Sequence, residues 1–135
     1  MSTASPPGPA ARSVLVIEDN ADAREALVTL LQIDGYAVQA AADGPEGLRL
    51  ARDHRFDVAL IDIGLPGLDG YEVAKQMRAL GTPTPFLVAL TGYGRPEDQR
   101  RAQEAGFDAH LVKPVDPDRL SALINRETPG RGSRG

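Results

Sequence analysis

The segment VALIDIGLPGLDGYEVAKQMR, residues 58–78, runs from an apolar stretch through a glycine-rich loop into a helical pattern. Residues 58–61 form a short apolar run bounded by polar residues, which is typical of a strand covered on both faces. Asp69 and Glu72 have the spacing of a helix capping box, and Val73 and Met77 then recur at helical spacing. This order predicts one strand–loop–helix unit of a parallel α/β fold.

The same switch between short strands and helical spacing recurs along the chain. Residues 14–17 and 86–90 are also uninterrupted apolar runs, so we expect them to be central strands. Residues 36–41 and 109–112 each include polar side chains, and we expect these two strands at the edges of the sheet. The pattern predicts a doubly wound α/β fold with a five-stranded parallel sheet and five helices.

Residues suited to helix N-caps precede four of the predicted helices: Asn20, Asp43, Asp69 and Asp116. The fourth helix, at residues 96–105, differs because it offers only Ala102 and Ala105 as apolar anchors among charged residues. We expect it to be weakly attached to the sheet. Since a small change in free energy can shift such an element, it is the candidate moving part.

Composition limits the classes of function. The 135 residues suffice for one domain, and a formal charge of −4 with a pI near 5.1 argues against direct DNA binding. The absence of cysteine excludes disulfides and thiolate metal sites and suits a reducing compartment, so we expect a cytoplasmic protein. The first stretch lacks the apolar run of a signal peptide, and we identify no membrane segment in the sequence.

Both ends are rich in proline, glycine and small polar residues, which cannot bury enough apolar surface to offset the entropy of ordering them. We therefore predict a disordered leader at residues 1–12, one folded domain at residues 13–126 and a disordered tail at residues 127–135.

Reactive side chains follow four of the five predicted strands: Glu18 and Asp19, Asp62, Thr91, and Lys113. The carboxyl ends of parallel strands meet at one edge of an open sheet, where ligands bind. Three carboxylates there repel one another by about 1 kcal/mol per pair at 4 Å in water, and by about 4 kcal/mol at an effective dielectric of 20. This oxygen-rich, negative set therefore suits Mg²⁺ together with a phosphoryl group.

Asp62 is the best candidate nucleophile, because it ends the most buried run and precedes the flexible loop at residues 64–70. Lys113, Thr91 and Mg²⁺ could compensate the charge on a transferred phosphoryl group. Singly, each residue has a simpler explanation, since acids at strand ends often cap helices and Lys-Pro is common in turns. Together, at successive strand ends, they favour a phosphorylation site.

Four segments carry a family resemblance: VLVIEDN (14–20), VALIDIGLPGLDGYEVAKQMR (58–78), FLVALTGYG (86–94) and AGFDAHLVKPV (105–115). They resemble the receiver domain of bacterial two-component response regulators over residues 13–126. The resemblance implies the flavodoxin-like strand order 2-1-3-4-5, for which the receiver family is itself a known example. It also implies a signalling switch that catalyses only its own phosphorylation and dephosphorylation.

The resemblance implies that Asp62 accepts a phosphoryl group from the phosphohistidine of a histidine kinase or a histidine phosphotransfer domain in a phosphorelay. Asp19 would bind Mg²⁺ directly, Glu18 would bind it through water, and Asp62 with the backbone carbonyl of Gly64 would complete the protein ligands. Lys113 would pair with the phosphoryl oxygens. These roles are carried over from the family's motifs.

The family's output works through Thr91, which would turn toward the phosphoryl group, and through the surface of the fourth helix, fifth strand and fifth helix. The Lys113-Pro114 peptide bond is expected to be cis.

Two positions depart from the commonest pattern. The acidic pair, Glu18 and Asp19, is Glu-Asp instead of the family's usual Asp-Asp, which leaves the direct metal ligand intact. His110 stands where the family usually has the aromatic switch residue, Tyr or Phe.

Two other functions stay open. A phosphorylation-independent pseudo-receiver would share the fold, but the complete set of reactive residues argues against it. A Mg²⁺-dependent aspartyl phosphatase usually has Asp-x-Asp after its first strand and a cap domain, which this sequence lacks. The chain fits a stand-alone regulator or the receiver of a hybrid histidine kinase, and its downstream protein is unknown.

Overall fold

Five strands and five helices alternate in the computed structural model, which describes residues 12–81, 84–92 and 96–127. The strands are β1 (Ser13–Ile17), β2 (Ala37–Ala41), β3 (Val58–Asp62), β4 (Phe86–Thr91) and β5 (Ala109–Val112). The helices are α1 (Ala21–Ile33), α2 (Gly44–Asp53), α3 (Gly70–Ala79), α4 (Pro96–Ala105) and α5 (Pro117–Glu127). Residues 1–11 and 128–135 lie outside the described residues, so the disordered ends and the domain boundaries stay predictions.

The strands form one parallel sheet in the order β2-β1-β3-β4-β5. The predicted fold class and strand order are therefore confirmed, as is the placement of β2 and β5 at the edges. Every residue of β3, the central strand, is buried. Side chains that alternate along such a strand point to opposite faces, so a continuous apolar run serves both layers of helices.

Two hydrophobic clusters cover the two faces of the sheet. Leu15, Ile61 and Ala89 belong to the cluster that includes residues of α2, α3 and α4. Val16 and Leu60 belong to the opposite cluster, which includes residues of α1 and α5. The sheet is thus covered on both sides, and its carboxyl edge is the place where an open parallel sheet presents residues from several strands to a ligand.

The predicted caps of the first three helices are confirmed. Asn20, Asp43 and Asp69 each accept a hydrogen bond from the backbone N–H three residues later. Asp116 precedes α5 and accepts one from the N–H of Asp118 at 2.9 Å. In the described part of the chain, no helix combines the length and apolar character needed to cross a membrane.

Gly70 lets α3 begin directly against the end of β3. A Cβ atom at this position would lie 2.5 Å from the backbone oxygen of Asp62 and 2.5 Å from Cα of Ile63. Real Cβ atoms essentially never approach backbone that closely, so a larger residue would push the helix away from the strand. The absence of a side chain at position 70 therefore allows the first turn of α3 to pack against the backbone of Asp62 and Ile63.

Helix α4 has the sparse apolar face that the sequence predicts, because its buried residues are Ala102 and Ala105. A contact that the apolar pattern does not predict adds to them. The guanidinium carbon of Arg101 lies 4.2 Å from the centre of the Tyr71 ring, a cation–π geometry that joins α4 to the first turn of α3. Tyr71 in turn meets Phe107 edge to face, with ring centres 6.5 Å apart.

Candidate functional site

The parallel sheet brings the reactive side chains of four strands to one edge. Glu18 follows β1, Asp62 and Thr91 are the last residues of β3 and β4, and Lys113 follows β5. In the sheet register Asp62 lies beside Leu90, one residue before Thr91, so the neighbouring strands end nearly level. The reactive residues that the sequence analysis located at strand ends therefore lie together at one edge of the sheet.

Lys113 is the positive centre of this edge. Its Nζ lies 2.7 Å from Oε1 of Glu18 and 3.2 Å from Oδ2 of Asp62, so one ammonium group bridges two carboxylates. The Glu18 side chain is almost fully buried, with 1% exposed, and that of Asp62 is 10% exposed. In this partly dry setting the attraction is stronger than in water, and the pairing offsets the cost of burying the acids.

The pKa values of the bridged groups move for identifiable reasons. Burial raises the pKa of Glu18 above its ordinary value of 4.5, although its hydrogen bond from Lys113 acts in the opposite direction. Burial alone would lower the pKa of Lys113, but the hydrogen bond to Glu18 and the charge of Asp62 outweigh it, and the pKa rises. Lys113 therefore stays protonated throughout the physiological range.

Three carboxylates at this edge form a set that could hold a metal ion. One oxygen each from Glu18, Asp19 and Asp62 lies within 4.8 Å of the others. The side chains of Glu18 and Asp62 are buried while Asp19 is exposed, so the set opens to solvent on the Asp19 side. An all-oxygen donor set that retains access to water fits Mg²⁺, which binds a few carboxylates and usually keeps several waters.

The loop after β3 is held against the candidate nucleophile. The backbone N–H of Gly64 donates a hydrogen bond of 2.9 Å to Oδ1 of Asp62. The two oxygens of Asp62 are thus distinguished, because Oδ1 faces this amide and Oδ2 faces Lys113. The metal-ligand role expected of the Gly64 carbonyl stays a prediction.

Thr91 and His110 lie where the sequence indicated. Thr91 is buried, and its carbonyl accepts a hydrogen bond of 2.7 Å from the N–H of Lys113. His110 is half-buried on β5 beside Ala89, which belongs to the cluster on the α4 side, whereas Leu111 belongs to the opposite cluster. The Lys113-Pro114 bond is cis, as the resemblance implied. The switch roles of both residues stay predictions.

Sequence reasoning missed Arg24, on the first turns of α1. Its Nη1 donates hydrogen bonds to the backbone carbonyl oxygens of Glu18 at 3.0 Å and of Asp19 at 3.4 Å. The backbone N–H of Asn20 also donates to Oε2 of Glu18 at 3.1 Å. A single basic residue in a helix gives no motif by itself, so only the folded loop reveals this contact.

An apolar cleft of about 440 Å³ borders the acidic edge. Its walls come from one side of α1 and from the segment after β5: Ala23, Ala26, Leu27, Leu30, Leu90, Pro114 and Val115. Glu18 and Lys113 also line it. The charged edge therefore lies next to an apolar surface that is not part of the metal-binding set.

Comparisons with known proteins agree with this geometry. The family model described as response regulator receiver domain matches residues 14–125. Response regulator MprA of Mycobacterium sp. (strain KMS) is 37% identical over 123 residues, which is 88% of this chain and 53% of that protein. The chain thus spans about half the length of this curated relative.

Two solved structures are similar over most of the chain. The receiver domain of sensor histidine kinase PA1611 from Pseudomonas aeruginosa PAO1 is 33% identical with a TM-score of 0.78, covering 87% of this chain and 97% of that one. It has a magnesium ion coordinated in its active site cleft. A chain in the co-crystal structure of Saccharomyces cerevisiae Ypd1, a histidine phosphotransfer protein, with the receiver domain of Ssk1 is 28% identical with a TM-score of 0.80, covering 84% and 86%.

Proposed function

This chain belongs to the response regulator receiver domain family of two-component systems, and on that premise we propose that it accepts a phosphoryl group on Asp62 from a phosphohistidine. The observation that carries the proposal is the contact of Lys113 with both Glu18 and Asp62, beside three carboxylates that can share a metal ion. If these acids only capped the helices that follow the strands, Glu18 would not need to be buried and Lys113 would not need to contact two carboxylates.

In the proposed reaction an oxygen of the Asp62 carboxylate attacks the phosphorus, an acyl phosphate bond forms, and the bond from phosphorus to the donor's imidazole nitrogen breaks. The imidazole leaves with the electron pair of that bond. Lys113 stabilises the negative phosphoryl oxygens, and Thr91 supplies a hydroxyl donor at the neighbouring strand end. The N–H of Gly64 keeps one Asp62 oxygen fixed while the other reacts.

Glu18, Asp19 and Asp62 would hold Mg²⁺, with Asp19 as a direct ligand, Glu18 acting through water and the Gly64 carbonyl as a further ligand. When bound, the ion neutralises charge on the transferred phosphoryl group. The acidic set fits this role because its carboxylates repel one another, and Lys113 supplies one positive charge against their three negative charges. The related PA1611 receiver holds magnesium in its cleft, which supports the assignment.

The phosphoryl donor is proposed to be a histidine kinase or a histidine phosphotransfer domain. Any donor must place its histidine at the Asp62 edge, and the apolar cleft along α1 borders that edge at Glu18 and Lys113. An apolar helix of the donor could rest on Ala26 and Leu30 while its histidine reaches Asp62. The similarity to the receiver crystallised with Ypd1 supports a donor of this class.

The proposed output is a change in the surface formed by α4, β5 and α5, which a downstream protein would recognise. The chain would act as a cytoplasmic signalling switch that catalyses only its own phosphorylation and dephosphorylation. The sparse anchoring of α4 on Ala102 and Ala105 supports this, because little buried area opposes its movement.

Phosphorylation by acetyl phosphate tests the proposal. Incubation with acetyl phosphate and Mg²⁺ should add one phosphoryl group per chain by intact mass, and EDTA should prevent it. Asp62→Asn should add none, whereas Asp69→Asn, a helix cap at the far end of the same loop, should still react. An unreactive wild-type protein that remains folded with Mg²⁺ present would instead indicate a pseudo-receiver.

A further inference from the structure

The β1–α1 loop, residues 18–20, is fixed by contacts on both its side chains and its backbone. The Glu18 carboxylate accepts hydrogen bonds from Lys113 and from the N–H of Asn20. The N–H of Glu18 donates to the carbonyl of Ala41 at 3.1 Å, which ties the loop to β2. Glu18 is therefore held directly at its carboxylate.

Asp19 is held differently. Its side chain is exposed, and within residues 12–81, 84–92 and 96–127 no side chain or amide donates a hydrogen bond to its carboxylate. Its carboxylate nevertheless lies within reach of those of Glu18 and Asp62. The position of Asp19 must therefore come from its backbone, where the Arg24 guanidinium contacts the carbonyl oxygens of both Glu18 and Asp19.

Arg24 is well placed to hold that backbone. It lies in α1, whose cap Asn20 accepts a hydrogen bond from the N–H of Ala23 at 2.9 Å, and the N–H of Arg24 itself donates to the carbonyl of Asn20 at 2.9 Å. Its side chain folds back over the loop that precedes the helix. Both hydrogen bonds come from Nη1, so one nitrogen of the planar guanidinium group lies between two neighbouring carbonyl oxygens. A lysine ammonium group ends a side chain that is one bond shorter and more flexible, so it does not reach the same point with the same geometry.

We propose that Arg24 is a positioning residue of the metal site, which holds the backbone of Glu18 and Asp19 so that the Asp19 carboxylate is preorganised for Mg²⁺. This inference rests on the proposed function, because it assumes that the acidic set binds the ion. Without the Arg24 contacts, repulsion among the three carboxylates would favour loop conformations that move the Asp19 carboxylate away from those of Glu18 and Asp62. Mg²⁺ binding would then have to order the loop, and the free-energy cost of that ordering lowers the affinity for Mg²⁺.

Arg24 would affect Mg²⁺ binding in two opposite ways, through its charge and through its hydrogen bonds to the loop. A guanidinium group near a cation site repels the ion, so removing the charge alone would strengthen Mg²⁺ binding. Removing the hydrogen bonds to the loop would weaken it. Arg24→Gln loses both, whereas Arg24→Lys keeps the charge and loses the two-carbonyl geometry.

Mg²⁺ titration of the unphosphorylated protein, followed by amide NMR shifts, tests the inference. Outer contacts of metal ligands typically contribute about 10–100-fold in affinity, and we expect about tenfold weaker binding in Arg24→Lys. Arg24→Gln should also bind more weakly than wild type, but by less, because the lost charge partly offsets the lost hydrogen bonds. Arg52→Gln removes the same charge from an exposed position on α2 and should bind Mg²⁺ as wild type does. Unchanged or tighter binding in Arg24→Gln would overturn the inference.

Two further readouts keep the outcome interpretable. The Mg²⁺ concentration for half-maximal phosphorylation by acetyl phosphate should rise by the same factor as the dissociation constant, while the maximal rate should fall less. Without Mg²⁺, the variants' amide spectra should differ from wild type only near residues 18–24. Changes spread over the sheet would mean that Arg24 supports the fold, which contradicts the positioning role. If wild type itself binds no Mg²⁺, the proposed function fails first.

Discussion

Lys113 contacts Glu18 and Asp62 at 2.7 and 3.2 Å at the acidic edge of the sheet, whereas the buried residues of α4 are two alanines and a cation–π contact joins it to α3. The first region combines buried charges with opposing signs and several hydrogen bonds. The second has an exposed, charged surface and little apolar area. The proposed chemistry therefore lies at strand ends that are held by several contacts, and the candidate moving part is a helix with little buried apolar area.

The two regions are joined through α3. Gly70 packs the start of this helix against the backbone of Asp62, and the next residue, Tyr71, contacts Arg101 on α4. The end of β3 and α4 are thus connected by the contacts of two adjacent residues. Substitutions at the acidic edge should therefore be strongly destabilising, whereas a free-energy change of about 1 kcal/mol should be enough to shift the position of α4.

The largest effect on stability is expected at Lys113. Lys113→Met leaves the buried Glu18 and Asp62 without their shared cation, and breaking a fully buried pair costs about 3–5 kcal/mol. Because the Lys113 side chain is 32% exposed, we expect a loss of about 2 kcal/mol in the free energy of unfolding. Urea denaturation in EDTA would measure it, with Lys75→Met, an exposed lysine on α3, as the control.

The same variant has a defined pH dependence. Burial raises the pKa of Glu18 in the folded protein, and the loss of Lys113 should raise it further. A group of this kind contributes stability below its unfolded pKa of 4.5, and that contribution is lost as the pH rises through the folded pKa. The difference between Lys113→Met and wild type should therefore shrink as the pH falls. A constant difference would contradict the role of Glu18.

Mg²⁺ should stabilise the folded protein by linkage. At ten times its dissociation constant a ligand adds about 1.4 kcal/mol, which is visible as a higher melting temperature. Asp19→Ala should remove most of this rise, because the variant lacks the proposed direct ligand. Asp22→Ala, an exposed acid in the first turn of α1, should keep it. An unchanged rise in Asp19→Ala would place the metal ion elsewhere.

A smaller effect is expected at the contact between α3 and α4. Arg101→Gln removes the cation over the Tyr71 ring, which is worth about 0.5–1 kcal/mol at an exposed position. Arg100→Gln, the neighbouring exposed arginine, should change stability less. If Tyr71 is first replaced by Leu, the effect of Arg101→Gln should vanish in the double-mutant cycle. Equal effects with and without the ring would rule out the cation–π contact.

The smallest change concerns His110. Imidazole offers less apolar area than Tyr, so the inward state of the switch should gain less stability with His. His110→Tyr should leave the rate of phosphorylation nearly unchanged and enlarge the phosphorylation-dependent movement of α4. NMR shifts of residues 95–110, with and without a beryllofluoride phosphate mimic, would measure this. Equal shifts in wild type and variant would make His110 an ordinary strand residue.

Local sequence signals predicted the framework of this molecule. The uninterrupted run before Asp62 identified the central strand, and Asn20, Asp43 and Asp69 marked helix starts, because both signals depend on neighbouring residues. The strand order came from a family resemblance. The grouping of Asp62 with Lys113 followed from topology, since parallel strands end at one edge.

Contacts between distant side chains could not be predicted in this way. Tyr71 and Arg101 meet only because α3 and α4 pack side by side, and the apolar pattern of α4 treats Arg101 as a solvent-facing residue. Arg24 contacts carbonyl groups, and carbonyl groups occur in every residue, so no pattern of side chains marks that contact. These features depend on how elements pack rather than on their composition.

Direct identification of the phosphorylated residue tests the central claim. An acyl phosphate is reduced by borohydride to the alcohol, so phosphorylated aspartate becomes homoserine while free aspartate is unchanged. After reaction with acetyl phosphate and Mg²⁺, reduction and peptide mass spectrometry should place homoserine at position 62 and leave Asp19 and Asp69 as aspartate. Homoserine at either of those positions instead of 62, or at none in a reacted sample, would contradict the account.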